Sequence, residues 1–250
     1  KPGNDVLHVQ DLRVIDGLGV ERLRGVSLSV KAGEILGLAG VAGNGQSELL
    51  EVLGGVCPAT GALSVNGTAL PLSGPGADGR ARRAAGVAHV PEDRQRDGLI
   101  MDYTAWENMI FGYHGDQGRI MKNAAIETSC QASMDRFDVR PPNARLAAKN
   151  FSGGNQQKIV LAREIERNPD VLLIGQPTRG VDIGAIEFIH KQIIALRDAG
   201  KAILLVSVEL DEIMALSDRI AVMFDGQIMG ERLPGETDET ELGLMMAGIS

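Results

Sequence analysis

The sequence predicts an α/β fold: a mostly parallel sheet with helical crossovers, an antiparallel β part and a helical insertion. Three observations carry this. Three short, nearly continuous apolar runs, at 35–39, 171–174 and 202–206, mark strands buried on both faces. Between the second and third, Ile186, Ile189, Ile193 and Leu196 fall on one helical face, with Gly200 at the expected stop. A Gly-rich turn joins the first run directly to the helical pattern Ser47–Leu53, closed by Gly54-Gly55.

The other elements follow in chain order. Val6–Val9 and Val26–Val30 alternate apolar and polar residues, which predicts half-exposed antiparallel strands. Residues 73–83, rich in Gly, Pro and Arg, predict a flexible loop. From Met101 to Asn150 the pattern is helical and no buried strand is apparent. Thr104 and Glu107 form a capping box that opens a short helix, and Ala124–Phe137 predicts a second. Asp225-Gly226 between Ile220–Phe224 and Ile228–Glu231 is a strong hairpin signal. The expected organisation is one domain over 1–250. Its α/β core lies at about 1–100 and 168–250, and its helical subdomain at about 101–167.

Composition narrows the function classes. Apolar residues make up 44% of the 250, and aromatics are only five Phe, one Trp and two Tyr, so the core is aliphatic. The 32 glycines imply tight turns or close backbone approaches. A net charge of −8 argues against a nucleic-acid partner. Cys57 and Cys130 have no metal-ligand spacing, and His8, His89, His114 and His190 make no zinc pattern. A disulfide scaffold is excluded and a reducing compartment is expected. No apolar run approaches a membrane span and no signal peptide is visible. The start at Lys1 rather than Met is the start expected of a fragment.

Gly40-Val41-Ala42-Gly43-Asn44-Gly45-Gln46-Ser47 matches the P-loop spacing G-x-x-x-x-G-K-[ST] at every fixed position except the Lys. It stands where phosphate binding needs it, between a buried strand and a helix. Glycines let backbone N–H groups form a nest for phosphate oxygens, and the helix N-terminus adds partial positive charge. Ser47 offers a hydroxyl to Mg2+. Gln46 can donate a hydrogen bond but brings no charge. Taken alone, the same stretch also reads as a Gly-rich strand-to-helix turn with no ligand.

A second motif decides the class. Phe151-Ser152-Gly153-Gly154-Asn155-Gln156-Gln157-Lys158 precedes an amphipathic helix and resembles the signature [LF]-S-G-G-x-Q-[QR] of ABC ATPases. Pro169–Ile174 follows at the Walker B position, and Gln176-Pro177-Thr178-Arg179-Gly180-Val181-Asp182 resembles the E-P-T-x-x-[LV]-D stretch that ends in the D-loop. The resemblance covers essentially the whole chain. Ser47-Glu48-Leu49, Pro91-Glu92-Asp93-Arg94 with Gly98-Leu99, the signature run and Pro177–Ala185 look like the second half of the ATP-binding subunits of ribose-type simple-sugar importers. Gly43–Ser47, Gln176–Arg179 and Asp211-Glu212-Ile213 look closest to the nucleoside-import branch.

The resemblance implies a P-loop NTPase fold of ABC type and ATP with Mg2+ as ligands. It implies nucleotide contacts from Gly40, Ala42, Gly43, Asn44, Gly45, Gln46, Ser47 and Glu48, and Asp182 as the D-loop residue. Ser152, Gly153, Gly154, Asn155 and Gln156 would face ATP on a partner domain. It also implies the partners: a first nucleotide-binding domain in the same full-length chain, membrane-spanning permease subunits and, indirectly, a solute-binding protein. The expected location is the cytoplasmic face of the plasma membrane.

Against those motifs the chain departs at several catalytic points. Gln46 replaces the Walker A Lys, and Gly175 stands where a carboxylate would support Mg2+. Gln176 stands at the catalytic Glu position, Val208 at the switch His position and Glu92 at the Q-loop Gln position. No aromatic lies in Asp16–Leu23, where an adenine-stacking Tyr is common. Phosphoryl transfer needs charge neutralisation, a metal and a positioned water. The expectation is therefore a silent or very weak own site, weak or absent Mg2+ there, and a signature that completes the partner's site. The alternative reading is a nucleotide-sensing ABC module without transport. A soluble ABC protein acting on ribosomes or DNA is disfavoured by the acidic charge and the lack of a coiled-coil insertion.

Overall fold

A computed structural model of the chain describes residues 2–118 and 121–249. The two early alternating stretches are β1 (Asp5–Ile15) and β2 (Glu21–Lys31), which pair antiparallel. The first buried run is β3 (Glu34–Ala39), followed by α1 (Gln46–Leu53), β4 (Thr60–Val65) and β5 (Thr68–Leu70). Where a flexible loop was expected over 73–83, α2 (Gly79–Ala84) forms instead. Its cause is local: the Asp78 carboxylate accepts the Ala81 N–H at 2.8 Å and caps the helix start. Then come β6 (Val87–Val90), a π-helical turn at Arg94–Gly98, α3 (Ala105–Met109) with the expected Thr104/Glu107 capping box, and α4 (Asn123–Arg136).

The chain continues through α5 (Gly153–Ile165), β7 (Val171–Gly175), α6 (Ile183–Asp198), β8 (Ala202–Ser207) and α7 (Leu210–Leu216). The expected hairpin is β9 (Arg219–Phe224) with β10 (Gln227–Arg232), and α8 (Glu239–Met246) follows. Asp225 and Gly226 both adopt positive φ, 45° and 75°, as a two-residue hairpin turn requires.

The residues cluster into two compact units. The first comprises Lys1–His89, Pro169–Gln176 and Gln192–Ser250. It holds a four-stranded sheet of order β2-β1-β4-β5, and the larger sheet has order β10-β9-β3-β8-β7-β6. β3 lies between β8 and β9, parallel to both, and every residue of β3, β7 and β8 is buried. Central position is why these strands read as unbroken apolar runs. The core is aliphatic, with Leu36, Leu38, Leu49, Leu53, Leu173 and Leu204 all at 1% exposure or less. Each such side chain contributes roughly 1.5–3 kcal/mol relative to leaving it exposed. The second unit comprises Val90–Asn168 and Pro177–Lys191. It carries α3, α4 and α5. Its buried polar tie is Arg163, which pairs with Glu164 at 2.7 Å and donates to the Gly98 carbonyl at 2.8 Å.

Candidate functional site

In the first unit, β3 delivers the chain into the turn Gly40–Gln46 and α1 takes it out. Gly45 supplies the left-handed corner, with φ 108°, and a Cβ there would lie 2.9 Å from the Arg22 carbonyl oxygen. Only glycine fits both demands. Gly43, with φ 90°, has open space where a Cβ would stand, and Val41, Ala42 and Gly43 are exposed. The N-cap of α1 is Gly45, which has no side chain to cap the helix start. The loop is anchored at Asn44. Its Oδ1 accepts the Asp225 N–H at 3.2 Å, and its carbonyl accepts the Gly226 N–H at 2.9 Å. Gln46 is 5% exposed and donates Nε2 to the Val41 carbonyl at 3.1 Å, with its carboxamide packed against Gly40. Ser47 is exposed on the first turn beside half-buried Glu48.

The ends of β7 and β8 bring two more expected positions together. Gln176 has φ 46°, donates its backbone N–H to the Val206 carbonyl at 2.8 Å, and its Oε1 accepts the Val208 N–H at 3.3 Å. So Gln176 and Val208 meet, but through an amide and a backbone N–H. Neither of these two side chains is a carboxylate or an imidazole. The exposed stretch Val41–Gly43 and the start of α1, whose N-cap Gly45 has no side chain, fit a phosphate group. Ser47 gives one hydroxyl, β7 ends in Gly175, and no group of three His, Cys, Asp or Glu side chains that could hold a metal ion occurs among the described residues.

In the second unit, Ser152 is the exposed N-cap of α5, and its Oγ accepts from Asn155. Gly153 is needed for close approach: a Cβ there would lie 2.5 Å from Arg94 Nη2 and 2.8 Å from the Gly180 carbonyl oxygen. Gly154 packs against the start of α6, where its Cβ would lie 2.9 Å from that of Ala185. Asp182 accepts the Ala185 N–H at 2.9 Å and so starts α6. Gln156 is turned away from the surface. It is 3% exposed and donates to the Ala148 and Phe151 carbonyls, while its Oε1 accepts from Gln95 Nε2 at 3.0 Å. It braces the turn and is not placed to touch a ligand. Glu92 lies half-buried two residues before Arg94.

Sequence reasoning used Arg94 only as part of a resemblance. In the structure it ties two segments together. Nη1 donates to the Arg179 carbonyl at 2.7 Å and Nη2 to the Gly180 carbonyl at 3.3 Å. Arg94 thereby holds the segment leading to Asp182 beside Gly153. An Arg directly after an Asp that caps a π-turn was the available signal, but its partners lie 85 and 86 residues away.

Residues 23–179 match the ABC transporter family. The chain belongs to the ABC transporter family. It is 46% identical over 253 residues to the guanosine import ATP-binding protein NupO of Bacillus subtilis, covering 99% of this chain and 49% of that protein. It is 43% identical over 254 residues to the nucleoside import ATP-binding protein NupA of Lactococcus lactis, again covering 99% and 49%. This ABC cassette therefore spans about half the length of these relatives. Its fold is that of an ATP-binding cassette solved as a dimer bound to ADP and Pi, with a TM-score of 0.77 at 23% identity, covering 91% of this chain and 98% of that one. In this cassette the phosphate loop and the Gln176/Val208 pair lie in the first compact unit. Glu92, Arg94, the signature turn and Asp182 lie in the second.

Proposed function

We propose that this cassette is the energy-coupling ATP-binding part of an importer for nucleosides or simple sugars, and that the two halves of its chemistry are unequal. Its own phosphate loop holds phosphate weakly and does not hydrolyse ATP. Its signature turn completes the ATP site of a partner cassette in the same full-length protein. The observation that carries this is the contrast between the two sites. At one, Gln46 closes on Val41 and Gln176 meets Val208 with no carboxylate or imidazole. At the other, Ser152 is exposed at an N-cap over a turn that admits only glycine at 153.

The mechanism follows from what each residue can do. At the chain's own loop, the backbone N–H of Gly43 and the α1 terminus bind phosphate oxygens, and Gln46 adds a neutral donor where a cation would compensate charge. Metal ions supply charge neutralisation in phosphoryl transfer generally, but one hydroxyl from Ser47 does not make a site for one here. With no base at Gln176, an attacking water is not polarised. Removing a single transition-state donor costs about 10²- to 10³-fold in rate, so several losses together leave turnover negligible. At the signature, Ser152 donates from its hydroxyl to the terminal phosphate carried by the partner, and the Gly153 and Gly154 N–H groups close around it.

The nucleoside branch is supported by what the two relatives import. A partner cassette in the same chain is supported by their length, about twice that of this chain. Permease subunits and a solute-binding protein complete the proposed assembly, with the cassette peripheral on the cytoplasmic face. No helix among the described residues is long and apolar enough to cross a membrane. The test is ATP-driven uptake of labelled nucleosides and ribose by vesicles carrying the full-length protein and its co-purifying membrane subunits. Uptake of neither class, or no co-purifying membrane subunit, overturns the reading.

A further inference from the structure

Two N–H groups of one residue converge on the hydroxyl oxygen of the signature serine. Asn155, the third residue of α5, donates its backbone N–H to Ser152 Oγ at 3.4 Å and its side-chain Nδ2 to the same oxygen at 2.8 Å. The other end of the carboxamide is fixed as well: Oδ1 accepts the backbone N–H of Arg140 at 2.7 Å. A backbone N–H only donates, so the atom facing Arg140 must be the amide oxygen and the atom facing Ser152 the amide nitrogen.

A serine hydroxyl has two lone pairs and one proton. Both lone pairs of Ser152 Oγ receive donors from Asn155. The proton is then the only hydrogen-bonding capacity left, on an exposed residue. We propose that Asn155 is a positioning residue. It turns Ser152 from a group that can donate or accept into a dedicated donor, matched to a terminal phosphate, which only accepts. The proposal rests on the reading that this signature serves ATP on a partner cassette. Arg140 belongs to the loop between α4 and α5, so the orientation of that donor is set by the helical unit.

The chemistry makes distinct demands on two substitutions. Asn155→Ala removes the Nδ2 donor, and the hydroxyl is then free to rotate and spend its proton elsewhere. Asn155→Asp keeps the shape and the acceptor for Arg140 N–H, but presents an oxygen to Ser152. The hydroxyl must then donate inward, and the phosphate meets a lone pair beside a negative charge.

The experiment measures ATPase and uptake by the full-length assembly carrying Ser152→Ala, Asn155→Ala, Asn155→Asp and the Ser152→Ala/Asn155→Ala pair. Co-purification of the membrane subunits monitors assembly. Asn155→Ala is expected to lower kcat about tenfold, the scale of one lost hydrogen bond, with KM for ATP within about twofold of wild type. Asn155→Asp is expected to fall further despite its closer shape. The double variant should be no worse than Ser152→Ala, because Asn155 acts through that hydroxyl. Full activity of an assembled Asn155→Asp protein overturns the proposal, and so do losses that multiply in the double variant. A fully active Ser152→Ala assembly instead overturns the parent reading, so the two failures are distinguishable.

Discussion

Gln46 donates its side-chain amide back to the Val41 carbonyl at 3.1 Å, closing the phosphate loop on itself. A Lys at this position would bring a positive charge but, on the proposed reading, neither a metal-supporting carboxylate at Gly175 nor a base at Gln176. Gln46→Lys alone should therefore leave the purified chain well below about 1 s⁻¹, near the low end for ordinary enzymes. A steady-state ATPase assay decides this, and turnover at that rate by the wild-type chain or by Gln46→Lys would refute the silent-loop reading.

On the proposed reading Gln46 makes no charge-assisted contact with phosphate, and this sets an affinity. One such bond is worth about 1.5–3 kcal/mol, so ATP should bind this chain ten- to a hundredfold more weakly than a loop with Lys, with little dependence on Mg2+. Titration calorimetry with and without Mg2+ reads both quantities. Sub-micromolar, Mg2+-dependent binding would contradict the expectation.

The two halves should also separate in transport. Gly153→Asp should abolish ATP-driven uptake by the full assembly, while Gln46→Ala should leave it reduced but present. The structure adds a control: a Cβ at 153 also meets Arg94 and the Gly180 carbonyl, so thermal melting of Gly153→Asp must accompany the uptake assay. A folded, assembled and inactive Gly153→Asp protein supports the reading, and the reverse order of effects inverts the assignment of the working half.

Arg94 forks onto two carbonyls, those of Arg179 and Gly180. Arg94→Ala should cost about 1.5–3 kcal/mol in urea unfolding, the scale of one lost hydrogen bond from a charged donor. Arg94→Lys should recover only part of this, because an ammonium lacks the planar fork. Equal stability of all three proteins would remove Arg94 from the scaffold of the signature turn.

Acid and base should act on different groups. The Arg96 and Gln95 N–H groups hold the Asp93 carboxyl below the ordinary range, and Lys158 and Arg140 do the same for Asp138. A depressed folded-state pKa gives stability that is present above about pH 4 and lost as pH falls through the folded value. Burial, with negative charge from Glu166 and Glu127, pushes the Cys130 thiol up to about 12. That contribution has the opposite sign: it is complete below about pH 8.5 and lost as pH rises toward 12. Melting temperature against pH should show a neutral plateau with losses on both sides. Iodoacetamide at pH 8 should modify Cys57 before Cys130, which is 2% exposed, and mass spectrometry reads the order.

Much of the fold was legible because it is locally encoded. The Thr104/Glu107 capping box and the Asp225-Gly226 turn each bond residues a few positions apart, so short-range chemistry names them. Burial on both faces leaves β3, β7 and β8 as apolar runs that no loop would carry. The glycine spacing of 40–45 was legible as a phosphate-loop pattern, and the Ser152-Gly153-Gly154 turn through its resemblance to the ABC signature. Asp78 as a helix cap was also local, but the surrounding Gly, Pro and Arg residues masked it.

What the sequence by itself determined was therefore the buried parallel strands, the terminal hairpin, several of the helices, the family resemblance and the residue type at each motif position. Tertiary structure alone decided which distant groups meet. Asn44 takes its anchor from Asp225, 181 residues on, and Arg94 takes its carbonyls from a segment 85 and 86 residues on. Gln176 meets Val208 only because β7 and β8 lie side by side in the sheet. The Arg140 N–H that orients Asn155 comes from 15 residues upstream across an irregular loop. The physical reason is that a hydrogen bond depends on distance and direction in space, and a linear pattern fixes those only where a regular helix or a tight turn already fixes the backbone.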